Sequence, residues 1–214
     1  MVATSIKSTG TKAGPVIFRI GLSDGSLFSF NPVYLPYAFQ GGDYFFPGKE
    51  INPEEETGLR FAADCFRAER AALRLVARAE QTRAGITRKL EQRGHESSRI
   101  QAVVSYLTEL KIVDDRRFAG RWIQSRLYRG ADSPLRLIAG LCRQGIDRST
   151  AQSACKSILD FERETELLQK FIAKRYAGNS ARGDRPDQEA RFFRGQLKRE
   201  GFSARALEWY WEER

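Results

Sequence analysis

Asp114 and Asp115 are the first residues that invite a chemical reading, because two carboxylates are the usual minimum for general acid–base work. Adjacent residues at a helix start point apart, however, and no partner carboxylate is evident, so the pair reads as helix capping. His95 is the one histidine. It follows Gly94 in a polar turn, and a single imidazole makes neither a Ser/His/Asp array nor a usual metal site. Cys65, Cys142 and Cys155 are odd in number and widely spaced, which argues against a disulfide framework or a zinc site. Cys142 and Cys155 fall on apolar helix faces and are expected as small core residues rather than redox partners. Gly21, Gly25, Gly41 and Gly42 form no phosphate loop, and no G-x-x-x-x-G-K-[ST] string occurs. No catalytic residue, metal ligand or cofactor is therefore expected, and the chain reads as a non-enzyme.

What remains is arginine and aromatic chemistry. Arg116, Arg117, Arg121, Arg126 and Arg129 lie on one helical stretch, with Arg136, Arg143 and Arg148 following. Arg83, Arg88, Lys89 and Arg93 form a similar group upstream. The arginine fork suits phosphate or carboxylate. A solvated face is the plain alternative; as a binding surface, these residues would contact a partner or DNA. Trp209, Tyr210 and Trp211 could stack on bases, although at least one ring is expected in the core.

The 214-residue chain carries a formal charge of +9 and a pI near 9.7. Residues 1–60 carry net −1, residues 61–113 and 114–160 carry +4 each, and residues 161–214 carry +2. The excess begins where helical periodicity begins, which points to a polyanionic partner. MVATSIKSTG lacks the apolar core of a signal peptide, and no run approaches the roughly 18 apolar residues of a membrane span. A cytoplasmic monomer without membrane contact is expected.

These side chains must be positioned by helices. Residues 1–14 are small and polar and read as a mobile tail. Val16, Phe18, Ile20 and Leu22, then Asp24-Gly25, then Leu27, Phe28 and Phe30 predict a β-hairpin over about 16–30, ended by Asn31-Pro32. Pro36 makes residues 33–39 a poor central strand, and Gly41-Gly42 and Pro47-Gly48 mark a loop. Asn52-Pro53-Glu54-Glu55 opens a helix, weakened early by Gly58. Downstream, a leucine, three mostly polar residues and a glycine recur at Leu90 to Gly94, Leu141 to Gly145 and Leu197 to Gly201. Each glycine is followed by another helical pattern, and each pair is preceded by a longer helix, at about 60–80, 115–129 and 162–177. Asp114, Ser133, Asp147 and Ser203 fit N-cap positions. Residues 178–187 read as a linker.

The fold class expected is mainly all-α: three tandem three-helix repeats forming an elongated curved array, with a short N-terminal β-hairpin extension. The divisions expected are 1–51 for the extension and 52–113, 114–160 and 161–214 for the repeats.

Lys89-Leu90-Glu91-Gln92-Arg93-Gly94, Ile100 to Leu107 and above all Val113-Asp114-Asp115-Arg116-Arg117-Phe118-Ala119 resemble the RecX family of recombinase regulators. The last stretch follows the family's D-D-x-x-F-A signature, and Arg129-Gly130, Leu137 and Gly145-Ile146 continue the pattern. The resemblance covers residues 62–160 well and 161–214 loosely; the N-terminal hairpin departs from it. It implies binding to RecA filaments on single-stranded DNA, with bare DNA bound weakly or through RecA. It further implies suppression of ATP hydrolysis, strand exchange and co-protease activity, and so a place in homologous recombination, DNA repair and the SOS response. A general basic DNA-binding protein acting without RecA, and a structural scaffold, stay open.

Overall fold

The computed structural model describes residues 1–9, 16–40, 44–175 and 187–212. The chain divides into two compact units, residues 1–113 and 114–214.

The first unit begins with a three-stranded antiparallel sheet, β1 (Ala3–Thr9), β2 (Ile17–Leu22) and β3 (Leu27–Phe30), in the order β1-β2-β3. The expected hairpin is β2–β3, with Gly25 at φ +85° in its turn. The expected tail is corrected: residues 3–9 pair with β2 from Ala3↔Leu22 to Thr9↔Ile17. Only Ala3 and Ile6 of β1 turn into the core, so this edge strand shows almost no apolar alternation in sequence. Asn31 ends β3 by accepting from the Val33 N–H at 3.2 Å, and two 3-10 turns follow at Pro32–Tyr34 and Tyr37–Phe39.

Three helices complete the unit: α1 (Pro53–Arg78), α2 (Arg83–Glu91) and α3 (Ser97–Glu109). Asn52 and Glu55 form a reciprocal capping box at 2.8 and 2.9 Å. Burial works against the Glu55 carboxylate. Hydrogen bonds from Tyr44 and the Asn52 N–H, with the Lys49 ammonium at 3.0 Å, nevertheless hold it below the usual range. Gly58 does not interrupt α1. It lets Pro36 and Phe39 approach, where a Cβ would stand 3.4–3.5 Å from their side chains. One continuous core joins Ile20, Leu22, Phe28 and Phe30 of the sheet to Leu59 and Ala62 of α1, Leu90 of α2 and Leu107 of α3. The N-terminal segment is therefore built into this unit.

The second unit holds α4 (Asp115–Arg129), α5 (Pro134–Arg143) and α6 (Arg148–Ile158), then α7 (Phe161–Arg175), α8 (Asp187–Arg199) and α9 (Ala204–Glu212). Asp114, Ser133 and Asp147 cap α4, α5 and α6, and the Ser203 hydroxyl accepts from the Ala206 N–H at 3.2 Å. Ala119, Ile123, Leu137 and Leu141 centre the first three-helix core. Leu168, Phe171, Leu197 and Leu207 centre the second. The linker expected at 178–187 lies outside the described residues, except that Asp187 begins α8; Gly41 and Gly42 lie outside them too.

The sequence repeat has a shared physical basis. Gly94, Gly145 and Gly201 take φ of +78°, +83° and +92°, a left-handed region that penalises a Cβ. The N–H after each glycine donates to the carbonyl of the repeat leucine, at 3.2 Å to Leu90, 3.2 Å to Leu141 and 3.4 Å to Leu197. This is the Schellman arrangement, and it ends α2, α5 and α8 alike.

Candidate partner and nucleic-acid interface

The twelve basic residues singled out in the sequence are divided between the two units, and Arg148 is exposed at the start of α6. In the second unit, Arg117 and Arg121 are exposed one turn apart on α4. Arg126, nine residues after Arg117, lies about half a turn round the same helix. It is tied down, pairing with Asp132 at 2.8 Å and standing 5.4 Å over the Trp122 ring. Arg116 borders a depression of about 500 Å³ between α4 and α6, opposite Ser149 and Ser153. On α5, Arg136 reaches Glu200 at 3.7 Å. Arg129 and Arg143 are exposed in the last turns of α4 and α5, where a cation also meets the negative end of the helix dipole. The α4 arginines thus spread around the helix rather than forming one stripe.

In the first unit, Arg83 is exposed in the first turn of α2 and Arg88 in its last. Lys89 donates to Gln81 Oε1 at 2.7 Å. Arg93 joins His95 at the edge of a trough of about 570 Å³. The rest of that trough comes from residues the motif reading passed over. Arg67, Arg70, Arg74 and Arg78 follow one another along α1 at intervals of three, four and four. At 100° per residue these four fall within about 80° of arc. The signal was present in the spacing, on the side of α1 opposite the apolar stripe.

The titratable groups are structural. Asp114 accepts from the Arg116 and Arg117 N–H groups at 2.9 and 3.1 Å, and Asp115 is buried in the first turn of α4. Burial, with Arg67 and Arg93 nearby, pulls His95 below its usual value. Burial pushes the Cys65 thiol up to about 12 and the Cys155 thiol up to about 11. All three cysteines are free thiols. Cys142 corrects the sequence reading: it is exposed on α5, while Cys155 is buried. Tyr210 is a core residue, and Trp209 and Trp211 are half-buried against Phe161 and Phe193 at 6.4 and 6.1 Å. Among the described residues, no group of three His, Cys, Asp or Glu could hold a metal ion, and no helix is long and apolar enough to cross a membrane.

Tandem three-helix groups with glycine-capped helices and arginine-rich outer faces define a helical-repeat protein with a basic surface. Residues 114–154 match the family model of the RecX second three-helix domain. Regulatory protein RecX of Thermobifida fusca is 34% identical over 139 residues, covering 64% of this chain and 73% of that protein. Regulatory protein RecX of Halorhodospira halophila is 33% identical over 137 residues, covering 63% and 80%. Two crystal structures share the fold. A regulatory protein RecX superposes with TM-score 0.68 at 19% identity over 100% of this chain and 99% of its own. RecX from Lactobacillus salivarius superposes with TM-score 0.54 at 22% identity over 70% and 96%. The chain belongs to the RecX family.

Proposed function

We propose that this chain is a non-enzymatic regulator that binds the RecA–single-stranded DNA filament in the cytoplasm. It lowers the ATPase, recombinase and co-protease activities of RecA. The observation that carries the reading is family membership, with the basic helical faces as physical support. Arginine-rich helices complement a filament that presents phosphates, and such complementarity acts mainly on encounter rate and register. Among the residues named from sequence, Arg117 and Arg121 are the first choice for contact, since both are exposed on one face of α4.

The test is the rate of ATP hydrolysis by RecA on single-stranded DNA, titrated with this protein. A fall at substoichiometric amounts is expected, with Arg117→Glu/Arg121→Glu losing the effect while keeping its helicity. An unchanged rate with folded, soluble protein would sink the reading and move it to a general DNA-binding role.

A further inference from the structure

We propose that the arginine trough of the first unit is a direct binding site for the phosphodiester backbone of nucleic acid, without base readout. The inference stands on the geometry of α1 and does not rest on the RecA reading.

Arg67, Arg70, Arg74 and Arg78 of α1 line the trough, together with Arg93 and His95 from the turn that follows α2. From Arg67 to Arg78 the row advances roughly 16 Å at 1.5 Å per residue. All five guanidinium-bearing residues are exposed. Among the described residues, the one carboxylate paired with any of them is Asp64, at 2.5 Å from Arg67. Arg70 also stands 6.0 Å from the Phe66 ring. Arg70, Arg74 and Arg78, which follow one another on one face with no carboxylate paired to them among the described residues, repel one another, and a polyanion laid along the row relieves that repulsion.

The shape and lining select the class of anion. The trough is open and follows a helix, so it does not enclose a small molecule. Its apolar lining is Ala71 and Leu75, and the one ring in it is the imidazole of His95, with no Phe, Tyr or Trp to serve as a stacking platform. A protein partner would call for an apolar core with aromatic anchors, which this lining lacks. Guanidinium forks on regularly repeated phosphates give sequence-independent affinity through counterion release. Arg67 and Arg70 also border a second depression toward β3, together with Arg60 and Asp64, where Arg60 is already paired with Glu56 at 2.5 Å.

The experiment is equilibrium binding of the full chain, without RecA, to fluorescent oligo(dT) and oligo(dA) across a salt series. Similar affinity for both oligomers is expected, with the logarithm of affinity falling linearly against the logarithm of salt. Arg74→Gln/Arg78→Gln is expected to lose roughly tenfold per arginine at about 0.1 M salt and to flatten the slope by about two. Both positions are exposed, and circular dichroism verifies the fold. Unchanged affinity and slope in that variant overturn the proposal, as does no binding by the parent chain. Loss of binding to RecA protein with DNA affinity intact overturns it too, and makes the trough a protein-docking face. RecA ATPase titrations run on the same variant separate this outcome from failure of the filament reading.

Discussion

The Ser133 hydroxyl donates to Glu200 Oε2 at 2.6 Å while accepting the Arg136 N–H at 3.4 Å, so one buried oxygen both caps α5 and grips the end of α8. The Glu200 carbonyl accepts from the Leu135 N–H at 3.0 Å, and Arg136 and Arg175 stand 3.7 and 3.5 Å from its carboxylate. Ser133→Ala removes the cap and the shortest of the contacts that hold the Glu200 carboxylate. A loss of about 1–2 kcal/mol is expected, read as a lower urea midpoint at constant slope. An unmoved midpoint would show that the junction does not depend on this hydroxyl.

Gly140 lies on α5 under Trp122 of α4. A Cβ there would sit 2.3 Å from Trp122 Cη2 and 3.0 Å from Cζ2. The indole must move for Gly140→Ala to fold, at an expected cost of about 1–3 kcal/mol. Chemical denaturation monitored by tryptophan emission checks this, and a neutral or stabilising result would mean that the indole has room to swing away.

Glu69 is buried on the inner side of α1 beside Tyr34, and neither Glu69 Oε2 nor the Tyr34 hydroxyl has a hydrogen-bond partner among the described residues. Burial raises the Glu69 pKa above its ordinary 4.5, against smaller opposing effects of Tyr34 and Asn31. The folded state therefore prefers the protonated carboxyl. Its stabilising contribution is full below the ordinary value and is lost as pH rises through the raised one. Glu69→Gln is expected to raise the melting temperature at mildly alkaline pH and to have little effect at pH 4.5. A gain that does not vary with pH would contradict this account.

His95, as the one histidine, supplies a single imidazole resonance. Burial, Arg67 and Arg93 lower its pKa from 6.5, and Asp64 works the other way. The neutral ring is thus favoured in the fold, and the associated stability declines as pH falls below 6.5. In an NMR titration the midpoint should lie below 6.5 and rise toward it in Arg93→Gln. The same midpoint in both proteins would show that Arg93 does not act on the ring.

The helical repeat was legible because its ends use residues with few alternatives. Leu90, Leu141 and Leu197 are fully buried, and a glycine follows each at the one left-handed position. The N-caps at Asp114, Ser133 and Asp147 were readable for the same reason. β1 escaped notice because an edge strand with one wetted face needs little apolar pattern, and Thr4, Ser5 and Lys7 to Thr9 supply none. Cys142 was misplaced because helical spacing alone does not say how wide the buried arc of α5 is. The arginine row of α1 was hidden by a search for motifs, when its spacing on one face was the relevant signal. The partners themselves lie beyond what spacing can specify.

The Asn31 amide donates to the Tyr106 hydroxyl at 3.4 Å across 75 residues, and the core it seals runs from Ala3 to Val113. By contrast, the α4–α6 core closes between Ala119 and Cys155. During synthesis the first strand emerges long before the helix that covers its apolar face. Its ladder partner β2 follows at once, but α1, which packs on β3, and Tyr106 of α3 leave the ribosome only later, so the first unit must hold sticky β-segments in waiting. Native pairing over such spans is slow relative to local helical closure. The strands of the first unit are thus the part most exposed to misassembly, and the charged side chains of Lys7 and Arg19 on them help keep them apart from one another's copies.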